Sequence, residues 1–386
     1  MNCLSRRIRE SAPMSVSLAE LQRKYPDLIN LSIGDTDLTT DQRIIRAAFR
    51  DAENGYTHYG DPQGDPELIK AVIDAWREDY GQTLDRRNVM VTASSCLGMG
   101  LLMLALIDPG DEVIVFGPYF SIYRSQIELA GGVCVEVRTE AGDGWAIHED
   151  LLEAAITPRT KAVILNNPAN PTGAVYDKAS LEALADAARK HGLLVLADEI
   201  YTKYLFSGSF IPFSTLPGMK DRTVTLNSFS KNFMMTGWRV GVIIAPEEIR
   251  KAVQFVNSGM IYTAPSISQR AAIEALRIRG EMEKLYICTY RDRVLDAAEQ
   301  IRSIPFMRLA PVQGTFYLFP DISGSGVSDQ DFCRLALEQA HVLVLPGSEF
   351  GRSGQGHIRI ACTVPGEQIE EALRRISNMR FSYNNA

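Results

Sequence analysis

Four short segments hold the residues whose types and spacing could do chemistry. The first is Ser228-Phe229-Ser230-Lys231, followed by Thr236-Gly237-Trp238-Arg239. A lysine just past a buried strand is partly desolvated, and a desolvated amine gives up its proton more readily and can attack an aldehyde. Two hydroxyls and an arginine alongside would suit a phosphate. A solvated lysine at the top of a loop would produce the same short pattern. The second segment is Leu196-Ala197-Asp198-Glu199-Ile200-Tyr201. An acid that ends an apolar run is costly to bury without a cationic partner. A pyridinium nitrogen would be one, and the acid would keep it protonated so that the ring acts as an electron sink. A helix N-cap or a structural ion pair would explain the acid as well. Tyr201 could donate to a phenolic oxygen on the same ring, or simply pack. The third segment, Asn166-Asn167-Pro168-Ala169-Asn170-Pro171-Thr172-Gly173, is the most specific. Two X-Pro bonds and a glycine make a rigid loop able to fix an asparagine side chain. The fourth is Thr92-Ala93-Ser94-Ser95-Cys96. Small residues opening a helix leave free N–H groups and a dipole that favours an anion by roughly 0.3–1 kcal/mol at exposed sites. Serine there is also an ordinary N-cap.

Strands must hold these segments in place. Short apolar runs lie at 89–93, 112–116, 133–137, 162–166, 193–197, 223–227 and 240–245. Several are apolar on both faces, as strands covered by helices should be. Between them lie helical patterns at 97–106, closed by Asp108-Pro109-Gly110, and at 180–191, closed by Gly192. The alternation predicts an α/β, doubly wound, mostly parallel sheet. Ligands bind past the carboxyl ends of such strands, which is where the four segments fall. A helical stretch over 266–304, interrupted near Gly280, leads to shorter runs at 314–319, 342–345 and 357–361. The expected division is an N-terminal arm and joining segment over 1–40, a large domain over 41–285, and a smaller α+β domain over 286–386.

The bulk properties narrow the classes. A chain of 386 residues is too long for one simple core. Its formal net charge of −7 argues against a nucleic-acid surface. No apolar run approaches the ~20 residues of a membrane span. Residues 1–15 are charged and lack the apolar stretch of a secretory signal. Cys3, Cys96, Cys134, Cys288, Cys333 and Cys362 are scattered without a C-x-x-C pair, which suits a reducing cytoplasm. The histidines are equally dispersed, so no metal site is expected. A nicotinamide-cofactor reading fails, because Gly98-Met99-Gly100 lies inside a helical pattern and no G-x-G-x-x-G follows a strand.

In order and spacing the motifs resemble those of the fold-type I pyridoxal-phosphate enzymes, specifically the class I/II aminotransferases, over nearly the whole chain. The resemblance rests on NLSIGD at 30–35, Tyr59 with Gly64-Asp65-Pro66-Glu67-Leu68, PGDEVI at 109–114 and NNPANPTG at 166–173. It continues through ADEIY at 197–201, SFSKNF at 228–233, GWRVG at 237–241, GTFY at 314–317 and HIRIA at 357–361. It implies an aspartate-aminotransferase-like fold, pyridoxal 5′-phosphate as cofactor, and ping-pong exchange of an amino group between amino acids and 2-oxo acids. Lys231 then corresponds to the lysine that holds the cofactor covalently and shuttles the proton. Asp198 corresponds to the partner of the pyridine nitrogen, and Tyr201 and Asn170 to the donors to the ring oxygen. Ser95 and Cys96, through backbone groups, match the phosphate cradle together with Ser228, Ser230 and Arg239. Phe120 lies where the family stacks an aromatic ring on the cofactor, with core packing as the plain alternative. Gly34 would bring backbone near the substrate, and Arg359 would fork onto its α-carboxylate. Tyr59 corresponds to a tyrosine lent to the neighbouring subunit's phosphate, which implies a homodimer. Neither nucleic acid nor membrane is an expected partner.

Two departures bear on specificity. Thr36 stands where the family usually has proline, and Cys96 stands where one branch of aspartate aminotransferases reads a side-chain carboxylate with lysine. The donor and acceptor are therefore open. A carbon–sulfur β-lyase would use the same lysine, aspartate and arginine, and would release ammonia and pyruvate from a cysteine-type substrate without any oxo acid. A non-catalytic ligand sensor would ordinarily carry an added DNA-binding domain, and the acidic balance speaks against it.

Overall fold

The computed structural model describes residues 17–206 and 208–381; the sequence reading of residues 1–15, and Cys3, lie outside them. In chain order the strands are β1 (Ile29–Asn30), β2 (Val89–Thr92), β3 (Glu112–Gly117), β4 (Val133–Arg138), β5 (Thr160–Asn166) and β6 (Leu194–Asp198). They continue with β7 (Thr223–Ser228), β8 (Gly241–Ile244), β9 (Tyr317–Leu318), β10 (Val342–Leu343), β11 (Leu345–Pro346) and β12 (Ile358–Ala361). A seven-stranded sheet takes the order β2-β8-β7-β6-β5-β3-β4. Its pairs are parallel except those that β8 makes with β2 and β7.

Both faces of this sheet are covered over its inner strands, which is why those such as β3 and β5 read as apolar runs, while the edge strand β4 is mostly half-buried or exposed. Along β3, Val113 and Val115 join one buried cluster while Ile114 and Phe116 join another. Burying each such side chain is worth roughly 1.5–3 kcal/mol. The covering helices begin and end on local signals. Asp177 accepts a hydrogen bond from Ser180 N at the start of Lys178–His191, and Gly192 closes that helix in the left-handed region at φ 69°.

A second core gathers residues of the C-terminal third around Tyr290, Phe316, Phe332 and Ile358, together with Ile29 and Leu31. Its three-stranded antiparallel sheet has the order β11-β12-β9. Separately, β1 pairs in parallel with β10, Ile29 opposite Val342.

The C-terminal elements differ in detail from the sequence expectation. The long helical stretch breaks at Ile278 (φ −102°), and Gly280 sits inside the short helix Arg279–Met282. A π turn at Glu283–Ile287 follows before the helix Cys288–Arg302. Met282 belongs to the core under the large sheet and Ile287 to the C-terminal core, so the wider turn rotates the apolar face from one core to the other. The strand expected over 314–319 shrinks to β9, because Thr315 adopts φ 62°. The run at 342–345 divides into β10 and β11, which pair with different partners.

Candidate active site

The carboxyl ends of β5, β6 and β7 meet the amino end of β8 at one edge of the large sheet. Asn166 lies opposite Asp198, and Ser228 lies opposite Gly241. A cleft of about 410 Å³ opens over this edge and is closed on its far side by Tyr317 and Arg359 of the C-terminal sheet. All the site residues expected from the sequence line it except Tyr59, which is 85% exposed and meets Tyr262 edge-on at 5.5 Å.

Asp198 is the last residue of β6 and is buried. Its Oδ2 accepts from Tyr123 Oη at 2.5 Å, while Oδ1 is buried without a hydrogen-bond partner. Burial pushes this carboxyl up to about 6, and the Tyr123 bond opposes that rise. Neither of the bland explanations, a helix cap or an ion pair, accounts for it. A buried oxygen of this kind fits a cationic N–H donor approaching from the cleft. Behind it, Glu199 is also buried; its Oε1 accepts from Phe213 N at 2.9 Å and its Oε2 has no partner. Burial pushes Glu199 up to about 8, and the neighbouring Asp198 charge adds to the rise.

The loop after β5 is pinned from two sides. Asn166 donates through Nδ2 to the Asp198 carbonyl at 2.9 Å and accepts through Oδ1 from Asn170 N at 2.8 Å. Asn170 in turn accepts through Oδ1 from Arg359 Nη1 at 3.1 Å, which leaves its amide NH₂ as a donor. Arg359 also donates through Nη2 to Ser32 O at 2.5 Å, and its Nε is buried without a partner. The guanidinium lies between the rings of Tyr317 and Phe350, at 4.5 and 4.8 Å. Such a held fork suits a carboxylate.

Lys231 stands in the short helix Phe229–Asn232, which begins where Ser228 Oγ accepts from Ser230 N at 3.1 Å. Its Nζ donates to Gly34 O at 2.5 Å. Tyr201 Oη lies 3.3 Å from Tyr317 Oη, and burial holds its phenol well above the ordinary value. At the other end of the cleft the helix Ser95–Leu106 presents its first amides, capped by Ser94 Oγ, which accepts from Leu97 N at 3.1 Å. Arg239, in the left-handed region at φ 55°, is steadied by an Nη1 bond to Thr236 O at 2.8 Å. The amides, Ser228, Ser230 and Arg239 form a cradle suited to a phosphate. Gly241 makes it possible, because a Cβ there would stand 2.6 Å from Ser95 N. Phe120 meets Tyr123 edge-on at 5.6 Å. Cys96 lines the cleft beside Gln126, which donates to its carbonyl at 2.7 Å.

Three contributors escaped the sequence reading. Tyr123 lies one turn beyond the Pro118-Tyr119-Phe120 segment and carries no signature of its own. Tyr317 and Gly241 stood inside quoted motifs, GTFY and GWRVG, without an assigned task. Among the described residues, no group of three His, Cys, Asp or Glu side chains is placed to hold a metal ion.

Comparison with known proteins agrees with this geometry. Residues 26–376 match the family described as aminotransferase class I and II. Aspartate aminotransferase of Pyrococcus horikoshii is 34% identical, with 93% of this chain and 92% of that one covered. Arginine–pyruvate transaminase of Pseudomonas aeruginosa is 36% identical, with 91% and 89% covered. The solved structure of aspartate aminotransferase from Thermus thermophilus with maleate superposes with a TM-score of 0.91 at 35% identity, covering 98% of this chain and 99% of that one. The fold is therefore that of the aspartate aminotransferases, and the chain belongs to the class I and II aminotransferases, enzymes that move an amino group between an amino acid and a 2-oxo acid.

Proposed function

We propose that the cleft binds pyridoxal 5′-phosphate with Lys231 as covalent anchor, and that each group around it has the role its chemistry suits. The observation that carries this reading is Asp198 Oδ1, a buried carboxylate oxygen with no partner in the same cleft as the Lys231 amine. When bound, the cofactor supplies an aldehyde that accepts and returns the amino group, and a ring that stores the electrons released at the substrate α-carbon. Asp198 holds a proton on the ring nitrogen, and Tyr123 holds Asp198 in place. Tyr201 and the Asn170 amide donate to the ring oxygen. Ser95, Cys96, Ser228, Ser230 and Arg239 take the phosphate, and Phe120 covers the ring. Arg359 binds the α-carboxylate shared by amino acids and 2-oxo acids, so that donor and acceptor enter one site in turn. Gly34 O, which accepts from Lys231 Nζ, steadies the amine while it takes the α-proton and gives it back.

The active form we propose is a homodimer. Phe255 is 83% exposed, and Met260, Ile261 and Tyr262 beside Tyr59 extend an apolar surface that a second copy would cover. Tyr59 would there reach the partner's phosphate cradle. We place the enzyme in the cytoplasm, a reading supported by Cys96, Cys134, Cys288, Cys333 and Cys362, which form no disulfide among the described residues. No helix among those residues is long and apolar enough to cross a membrane. A division near residue 285 is supported by the change of core across the π turn, Met282 packing under the large sheet and Ile287 in the C-terminal core.

The test is the half-reaction. Protein loaded with pyridoxal phosphate should keep a visible absorbance band through gel filtration, and a suitable amino acid alone should bleach it. Lys231→Ala should lose both the covalent retention after borohydride and the turnover. Full turnover by Lys231→Ala would overturn the reading; release of ammonia and pyruvate from a cysteine-type substrate with no oxo acid would keep these residue roles and show elimination in place of amino transfer.

A further inference from the structure

We infer that Tyr317 is a positioning residue, coupling the carboxylate-binding Arg359 to the phenol of Tyr201 through a single side chain. The inference rests on the roles proposed above for those two residues. Tyr317 is buried on β9, opposite Ala361 of β12. It meets three parts of the site at once. Its Oη lies 3.3 Å from Tyr201 Oη. Its ring carries the Arg359 guanidinium at 4.5 Å. Its hydroxyl is lodged against Gly34, where an added Cβ would stand 1.8 Å from Oη, and the Gly34 carbonyl is the acceptor for Lys231 Nζ.

The adjacent Phe316 meets the site only through its ring, which lies 5.7 Å from Lys231 Nζ. It is fully buried among Tyr201, Tyr204 and Tyr290 and carries no polar atom. Tyr317 adds a hydroxyl at a place where a buried phenol needs a partner, and its partner is another phenol of the site. As the hydroxyls stand, Tyr201 donates and Tyr317 accepts. A phenolic hydroxyl rotates freely, so if Tyr201 pointed its O–H at the cofactor's ring oxygen, Tyr317 would turn and donate a hydrogen bond to Tyr201 Oη. A chain of two donors makes the terminal one stronger. The charged and titratable groups around Tyr201 include Tyr317 from β9, Arg359 from β12 and Asp198 from β6, with Tyr123 and Tyr204 close by. Of these, Tyr317 alone touches both Tyr201 and the guanidinium.

The hydroxyl and the ring can be separated by substitution in the pyridoxal-phosphate-loaded enzyme. Tyr317→Phe keeps the ring and should raise the pH midpoint of the visible absorbance. Weaker donation leaves the ring oxygen more basic, so it retains the proton it shares with the Lys231 nitrogen to higher pH. The shift should have the same direction as that of Tyr201→Phe and be smaller, and it should vanish when Tyr317→Phe is added to Tyr201→Phe. Propionate, a carboxylate without an amine, should bind Tyr317→Phe as it binds the parent, and should bind Tyr317→Leu about fivefold more weakly, the scale of one cation–π contact. An unmoved midpoint in Tyr317→Phe, or a shift that adds in full to that of Tyr201→Phe, would overturn the inference. A parent enzyme whose band does not depend on Lys231 would instead overturn the functional reading on which it rests.

Discussion

Asp198 and Glu199 end β6 as two adjacent carboxyls, each buried with one oxygen unpaired. Both are raised by burial, to about 6 and about 8. The native state therefore holds protons that the unfolded chain has already released, and stability falls as pH rises from the ordinary carboxylate range toward those values. In that window each such carboxyl costs on the order of 1.4 kcal/mol per pH unit. Glu199→Gln, whose amide oxygen can still accept from Phe213 N, should flatten the urea midpoint of the cofactor-free protein between about pH 5 and 8, where the parent's falls. Asp198→Asn should stabilise the cofactor-free protein near neutrality and weaken the retention of pyridoxal phosphate, the opposition expected when a site is built for a charge that the ligand brings. At this scale the sequence was legible wherever a residue broke a pattern. Asp198 ends an apolar run, Lys231 follows one, and Asn170 stands between prolines. Tyr123 and Tyr317 were illegible as site residues because a tyrosine reads as packing until its hydroxyl is seen to have a partner.

Glycine and one glutamate show how elements are held to the site. Gly241 lets β8 pass beneath the start of the helix Ser95–Leu106, where a Cβ would also stand 3.0 Å from Asn227 O. Gly241→Ala should push the helix terminus away, lowering stability by about 1–3 kcal/mol; a thermal melt and a pyridoxal-phosphate titration would read both losses. On the edge strand β4, Glu136 accepts from Arg352 N, Ser353 N and Ser353 Oγ at 3.0, 2.8 and 2.7 Å. This carboxylate fastens the loop after Phe350, the ring that backs Arg359, to the large sheet. Glu136→Ala leaves those amides unpaired and should cost about 1–3 kcal/mol, with a raised KM for the amino donor and a smaller change in kcat. Most strands of the large sheet were legible because burial on both faces leaves uninterrupted apolar runs. The C-terminal runs marked where β9, β10 and β11 lie but not their extent, because their pairing is fixed by partners far away in the chain; the interruption expected near Gly280 falls at Ile278, and the π turn that passes the helix from one core to the other left no local pattern.

At the scale of the whole molecule, the apolar surface around Phe255 and Tyr262 should be covered in solution by a second copy. Light scattering should give twice the chain mass, and Phe255→Glu should give a monomer that binds pyridoxal phosphate more weakly because Tyr59 of a partner is no longer supplied. The parallel pairing of Ile29 with Val342 has a bearing on how the protein is made. During synthesis Ile29 must wait while about three hundred further residues leave the ribosome before Val342 emerges. A contact of such span closes slowly. The sheet that bears Lys231 is drawn wholly from the intervening residues and needs neither β1 nor β10, so it should acquire protease resistance on a stalled nascent chain before the C-terminal third exists. The lysine's platform would then precede the arginine's, and the enzyme would become competent for its substrate only once the strand bearing Arg359 has emerged and paired.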